Sequence, residues 1–193
     1  AEQVAPYPLF TKPANLGSSV GISKAHNREE LSEALQLAAR YDRRILVERG
    51  IDARKIEISV LGNTDVQCTV PGEIVPGDEF YTYKDKYQSG DPEVAIPAPL
   101  PDAQTTLIQQ YAIKAFKAVD GAGLARVDFL IDKLTGEAYF NEINTMPGFT
   151  QISMYPKLWL YSGLSYPELV NRLVELALER KAEQDETIRK YEE

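Results

Sequence analysis

Two periodicities divide the chain. Residues 54–61 alternate Ile56, Ile58 and Val60 against Lys55, Glu57 and Ser59, a period of two that predicts a half-buried β-strand closed by the Gly62-Asn63 turn. Residues 66–75 continue in strands. Between 102 and 119 the apolar positions Leu107, Ile108, Tyr111, Ala112, Ala115, Phe116 and Val119 fall at helical spacing instead, which predicts a helix with one inward face. Apolar runs at 124–131 and 137–143 read as two more strands.

Nearer the start, residues 7–12 predict a short strand ending at Pro13. A loop of small residues, 14–19, and a second strand through Val20 and Ile22 follow. Asn27 with Glu30 three positions on is a capping-box pattern, opening a helix that carries Leu31, Ala34, Leu35, Ala38 and Ala39 on one face and ends near Tyr41. Residues 45–48 predict a buried strand with the Glu48 carboxylate at its end, and Gly50 beside Asp52 marks a connector between subdomains. Ser165, Pro167 and Glu168 open a last helix whose apolar face runs from Leu169 to Ala177. Beyond Glu179 its composition is almost wholly charged, the mark of a solvated or frayed end. Residues 76–101 show no period, and a loop that long is uncommon in a compact domain unless it has a function. The sum is an α+β fold, a mostly antiparallel sheet packed with helices.

Composition narrows the function. With 193 residues, 44% hydrophobic and 26% charged, the chain matches an ordinary globular protein. A net charge of −8 argues against nucleic acid or an anionic membrane as partner. A small polyanion remains open, provided a few Lys and Arg and a carboxylate-held divalent cation converge on it. Cys68 stands alone and reads as a small buried side chain, with no disulfide and no sign of an oxidising compartment. No apolar stretch approaches the ~20 residues that cross a bilayer, so a cytoplasmic protein is expected. The chain starts at Ala1 without an initiator Met and runs at once into a strand, which suggests a fragment.

The chemistry concentrates in one hairpin. Arg126-Val127-Asp128 and Glu142-Ile143-Asn144 flank a turn at 133–136. With a three-residue loop, Leu134-Thr135-Gly136, and Gly136 left-handed, Asp128 falls opposite Glu142 and Arg126 opposite Asn144, all on one face. Directly opposed carboxylates destabilise a sheet by up to ~1 kcal/mol unless neutralised. A divalent metal does so, and Asp, Glu and an Asn carbonyl are the hard oxygen ligands that Mg²⁺ takes. After Asn144, the turn through Pro147 and Gly148 presents a backbone amide with no side chain in the way, which beside Arg126 suits an oxyanion.

The ordered set of Lys12-Pro13, Gly17-Ser18-Ser19-Val20-Gly21, Glu48, Lys86-Tyr87, the run 123–128 and above all the run 141–150 resembles the D-alanine–D-alanine ligases of the ATP-grasp superfamily. The resemblance spans nearly the whole chain. It implies an ATP-grasp fold, with residues 1–47 as part of the central lid subdomain and 48–193 as the C-terminal domain, lacking an N-terminal domain. It also implies ATP with Mg²⁺ or Mn²⁺ as cofactors and D-alanine as substrate, in cell-wall peptidoglycan synthesis, with a homodimeric full-length protein.

By the same resemblance Lys12 contacts the nucleotide phosphates, and Ser18 and Ser19 belong to the loop that closes over them. Glu48 and Ile51 are the hinge positions around the adenine. Asp128, Glu142 and Asn144 match the metal ligands. Arg126 and the Gly148 amide match the oxyanion-stabilising pair. Lys86 and Ser153 match contacts to the substrate carboxylate, with Lys86 also on the nucleotide side, Met154 beside them, and Tyr87 next to the first amino acid. Where family members commonly carry an acid for the ribose hydroxyls this chain has Lys55, and Glu57, on the same strand face, is the available substitute.

The reaction implied is carboxylate activation by ATP to an acyl phosphate, followed by attack of a second D-alanine amine, with no nucleophilic side chain required. His26, the sole histidine, precedes a helix and reads as a surface residue. A D-alanine–D-lactate ligase is the neighbouring alternative, against which Tyr87 speaks. A nucleotide-binding module that is inactive without its N-terminal domain is the other.

Overall fold

The structure is a computed structural model and describes residues 2–17, 19–75 and 93–187. They divide into two compact units, one of the described residues up to Asp52, the other of Ala53–Val75 and the described residues from Glu93 onward. The sequence reading places that division at residue 47.

The first unit is a three-stranded antiparallel sheet in the order β2-β1-β3, with one helix packed on it: β1 (Leu9–Pro13), β2 (Ser23–Ala25), α1 (Arg28–Ala39) and β3 (Ile45–Arg49). Leu9, Ala25 and Leu31 form its core, with Leu35 and Val47 against them. The second strand begins three residues later than the position of Val20 suggested. Val20 and Gly21 lie in turns, with Ser19 at φ 61° and Gly21 at φ 73°. At Gly21 a β-carbon would come within 2.8 Å of Pro13 and Tyr41, so the chain there needs both the left-handed backbone and the missing side chain. Asn27 caps α1 by accepting from Glu30 N at 3.0 Å. The reciprocal carboxylate bond of Glu30 goes to the His26 amide instead, at 2.8 Å, one residue before the position a capping box requires.

The second unit is built on an antiparallel sheet in the order β7-β6-β4-β8-β9, with β5 also on β4: β4 (Ala53–Gly62), β5 (Gln67–Cys68), β6 (Gly72–Val75), β7 (Glu93–Ala95), β8 (Gly123–Asp132) and β9 (Ala138–Asn144). Helix α2 (Asp102–Ala118) packs on one face, where Ile108, Ala112 and Phe116 meet Ile56, Ile58, Val60, Ala125, Val127 and Phe129. Helices α3 (Met154–Tyr161) and α4 (Tyr166–Glu186) form a second core with Leu61 through Tyr155, Trp159, Leu169 and Leu176.

The alternation at 54–61 predicts a half-buried β4. It is buried on both sides along most of its length, because α3 lies on its polar face as α2 lies on its apolar face. The polar groups enclosed there find partners: Ser59 Oγ donates to Tyr155 O at 3.2 Å, and Tyr155 Oη donates to Val60 O at 3.1 Å. Sequence periodicity did not reveal α3, whose eight residues are apolar nearly all round. Ser165 and Glu168 do complete the predicted capping box of α4. No helix among the described residues is long and apolar enough to cross a membrane.

Cys68 lies on β5, its sulfur 4.0 Å from Gln109 O of α2, and burial pushes its thiol up to about 11 from 9.0. Two pH units mean roughly 100-fold less thiolate at a given pH. Alkylation by iodoacetamide at pH 8 is therefore expected to run about 100-fold slower in the native chain than in denaturant. Equal rates would refute the burial.

Candidate functional site

Six side chains on three neighbouring strands form two rows across the sheet. Register sets Glu57 of β4 against Asp128 of β8, and Asp128 against Glu142 of β9. One step along the strands it sets Ser59 against Arg126 and Arg126 against Asn144. The first row is three carboxylates side by side, and the second carries the charge and dipoles that hold them.

This alignment depends on an irregularity. Near the turn, Leu130 pairs with Tyr139 and Ile131 with Ala138, a register set by a four-residue connection, 133–136, rather than the three-residue loop expected. Gly136 does take the left-handed position, at φ 72°, and its amide bonds Asp132 O at 2.8 Å. Carried onward, that register would set Asp128 against Asn141 and turn Glu142 to the opposite face. A bulge between Asp128 and Phe129, with Asn141 as the extra residue of β9, restores the pairing of Asp128 with Glu142. The acids therefore face each other as the sequence predicts, but through a bulge rather than a three-residue loop.

Arg126 grips Asp128 with two bonds of 2.7 Å, from Nε and Nη2, and its Nε also lies 3.0 Å from Glu57 Oε2. Burial works against the guanidinium's charge, yet Asp128, Glu57 and Glu142 outweigh it and hold Arg126 more firmly protonated than usual. Burial raises the Asp128 carboxyl above its ordinary value and Glu142 adds to the rise, while Arg126 pulls the other way. Asn144 Nδ2 donates to both acids, at 3.3 Å to Asp128 Oδ2 and 3.1 Å to Glu142 Oε1.

Three carboxylates and one guanidinium carry a formal −2, and the Asn144 amide hydrogens stand in for the missing positive charge. Rotating that amide about its last bond exchanges N for O and adds a third hard oxygen. Two acids and an amide oxygen suit Mg²⁺, which keeps several waters. Among the described residues, no group of three or more His, Cys, Asp and Glu side chains is arranged to hold a metal.

The turn after β9 is tied to the two helices that follow. Ser153, the N-cap of α3, accepts from Thr150 N at 3.0 Å with its hydroxyl, which also meets Thr150 Oγ1 at 2.9 Å. A β-carbon on Gly148 would come within 2.9 Å of that hydroxyl, so a side chain there would push Ser153 Oγ away from Thr150. Met154, the first residue of α3, is buried with its methyl close to Gly72.

In the first unit Lys12 Nζ and Glu48 Oε1 form an ion pair of 2.9 Å across β1 and β3. Ser19 keeps its left-handed backbone in the adjoining loop, at an expected cost of about 1–2 kcal/mol. Ile51 lies half-buried in the connector after β3. Glu57 is 7% exposed and held beside Arg126, which commits its carboxylate to the acid row. Ser18, Lys86 and Tyr87 lie outside the described residues. Sequence reasoning missed Thr150, Tyr155 and Tyr166, whose contacts fix the turn. Thr150 meets Ser153 three residues on, whereas Tyr155 and Tyr166 reach the turn from helices that no local pattern connects to it.

A family model described as D-ala D-ala ligase C-terminus matches residues 1–175. The chain is 60% identical over 177 residues to a D-alanine–D-alanine ligase of Heliobacterium modesticaldum, covering 92% of this chain and 48% of that protein. It is 54% identical over 192 residues to one of Acetivibrio thermocellus, covering 100% and 50%. Among solved structures, the D-alanine-D-alanine ligase from Coxiella burnetii aligns with a TM-score of 0.81 at 42% identity, over 92% of this chain and 47% of that one. A D-Ala:D-Ser ligase from Enterococcus faecalis aligns with 0.80 at 35%, over 91% and 51%. The chain spans about half the length of the curated relatives it matches.

Proposed function

Since this chain belongs to the D-alanine–D-alanine ligase family, matching its C-terminal part and sharing its α+β ATP-grasp architecture, we propose that the protein carrying it joins two D-alanine molecules at the expense of ATP. The product serves peptidoglycan precursor synthesis in the cytoplasm. The observation that carries this reading is the row of Glu57, Asp128 and Glu142 with Arg126 and Asn144 beside it.

Asp128, Glu142 and Asn144 would hold Mg²⁺, which when bound offsets the charge of the ATP phosphates and withdraws electron density from them. Lys12 adds a positive charge on the phosphate side, and the loop from Gly17 to Gly21 covers the phosphates with backbone amides. Arg126 uses Nε and Nη2 on Asp128, so its Nη1 donors are not taken up by that contact. They and the Gly148 N–H stabilise the oxyanion that forms when the amine of the second D-alanine attacks the acyl phosphate of the first. Lys86, Tyr87, Ser153 and Met154 position the amino acids, and Glu48 and Ile51 serve the nucleoside, while Glu57, expected to take the ribose, stays with Arg126 in the acid row. No side chain forms a covalent bond to substrate, so rate comes from positioning and charge neutralisation.

A D-Ala:D-Ser ligase stands among the structural neighbours, so the second substrate is the finer assignment. The higher identity to the D-alanine–D-alanine ligases favours D-alanine. The full-length protein, supplied with ATP, Mg²⁺ and D-alanine, is expected to release phosphate and form the dipeptide. D-serine, D-lactate and L-alanine should compete poorly as second substrate. Nucleotide binding without any ligated product would overturn the assignment.

A further inference from the structure

The peptide unit joining Phe149 to Thr150 is held at both of its polar ends by side chains from two different helices. Its N–H donates to Ser153 Oγ of the α3 N-cap at 3.0 Å. Its C=O accepts from Tyr166 Oη, on the first residue of α4, at 3.2 Å. The Phe149 ring is wedged between two others, with centroids 5.7 Å from Tyr155 and 5.4 Å from Tyr166. Tyr155 is itself anchored to the central strand through Val60 O. Gly148 immediately precedes this clamped unit, and with no β-carbon its own backbone torsions are otherwise soft.

A donor that stabilises an oxyanion works through preorganisation: its N–H must already point where negative charge develops, without reorganising during the reaction. From this geometry we infer that Tyr166 is a positioning residue for the reaction, which orients the Gly148 amide by holding the Phe149 carbonyl and ring. The inference rests on the proposed ligase activity and on Gly148 as oxyanion donor. Tyr166 touches no reacting atom and is 46% exposed, so a role confined to stability would be small. Its hydroxyl is nonetheless spent on a backbone carbonyl in the turn that carries the donor.

The test is Tyr166→Phe in the full-length protein, which keeps the ring and removes only the hydroxyl. Losing an oxyanion donor outright slows turnover about 10²–10³-fold, and loosening one is expected to lower kcat about tenfold. KM for ATP and D-alanine should stay within about twofold, because ground-state binding does not use the oxyanion contact. Affinity for a phosphinate dipeptide analogue, whose tetrahedral anion mimics the oxyanion, should fall in parallel with kcat, while affinity for ADP holds. A smaller fraction of folded protein cannot produce that split. Hydrogen exchange of residues 148–151 should quicken in the variant without a change in the sheet. Phe149→Leu, which loosens the wedge and keeps the hydroxyl, should give the same pattern.

Unchanged kcat and phosphinate affinity in Tyr166→Phe, alongside active unaltered protein, would overturn the inference. Absence of dipeptide formation by the unaltered protein would instead be the failure of the functional reading.

Discussion

Replacing Arg126 with methionine is expected to lower the stability of the chain by about 3 kcal/mol and turnover by about 10²–10³-fold. The stability loss follows from the row of acids. Arg126 is the cation gripping Asp128 and Glu57, with Glu142 next in line, and removing one partner of a largely buried ion pair leaves uncompensated charge worth about 3–5 kcal/mol. The lower figure applies because the Arg126 side chain keeps 21% exposure.

For a chain of this length that corresponds to a melting temperature lower by roughly 6–12 °C. The deficit has a pH signature. A carboxyl raised in the folded state contributes stability at low pH and loses it as pH rises through the raised value. Asp128 is already raised, against the pull of Arg126, and deleting that pull raises it further. The variant should therefore be closer to the unaltered protein at pH 5 than at pH 8, and added Mg²⁺ should recover part of the loss. A calorimetric scan at both pH values decides it. A loss below about 1 kcal/mol, insensitive to pH, would mean the acids are not electrostatically coupled.

Glu142→Gln is expected to do the opposite to stability while doing comparable damage to activity. The substitution keeps shape and hydrogen bonding but removes one negative charge from opposite Asp128. In the presence of a chelator the melting temperature should hold or rise, since the repulsion between facing acids is relieved. Charge stabilisation by a catalytic metal is worth several kcal/mol, and 1.36 kcal/mol is a factor of ten, so kcat should fall about 10²–10³-fold. The midpoint for Mg²⁺ should also shift upward. Addition of Mg²⁺ with ADP should raise the melting temperature of the unaltered protein and leave the variant nearly unmoved. A variant with the same Mg²⁺ requirement and turnover as the unaltered protein would remove Glu142 from the metal site.

The two variants separate ideas that a simple loss of activity would merge. Arg126→Met and Glu142→Gln both slow the reaction, yet the first lowers metal-free stability and the second leaves or raises it, because one deletes the counter-charge and the other deletes part of what it counters. That contrast is a property of the rows Glu57-Asp128-Glu142 and Ser59-Arg126-Asn144 rather than of any single residue.

What the sequence determined by itself was everything governed by short-range periodicity and local hydrogen bonding. The alternation at 54–61, the apolar face of 102–119, the caps at Asn27 and Ser165 and the hairpin around Gly136 each depend on residues within a turn or a pleat of one another, so a linear pattern carries them. Family membership was legible too, because the ordered run from Asn141 to Thr150 is itself linear.

Other features required the folded chain. Burial of Ser59 on the polar face of β4 depends on α3, a helix apolar on nearly every side and so without a readable period. The bulge at Asn141 depends on β8 being held in register by β4 while a four-residue turn sets β9 one step away. The hold of Tyr166 on Phe149 joins residues 17 positions apart that no repeat connects. In each case the deciding contact is between elements, and its energy exists only once both surfaces have formed.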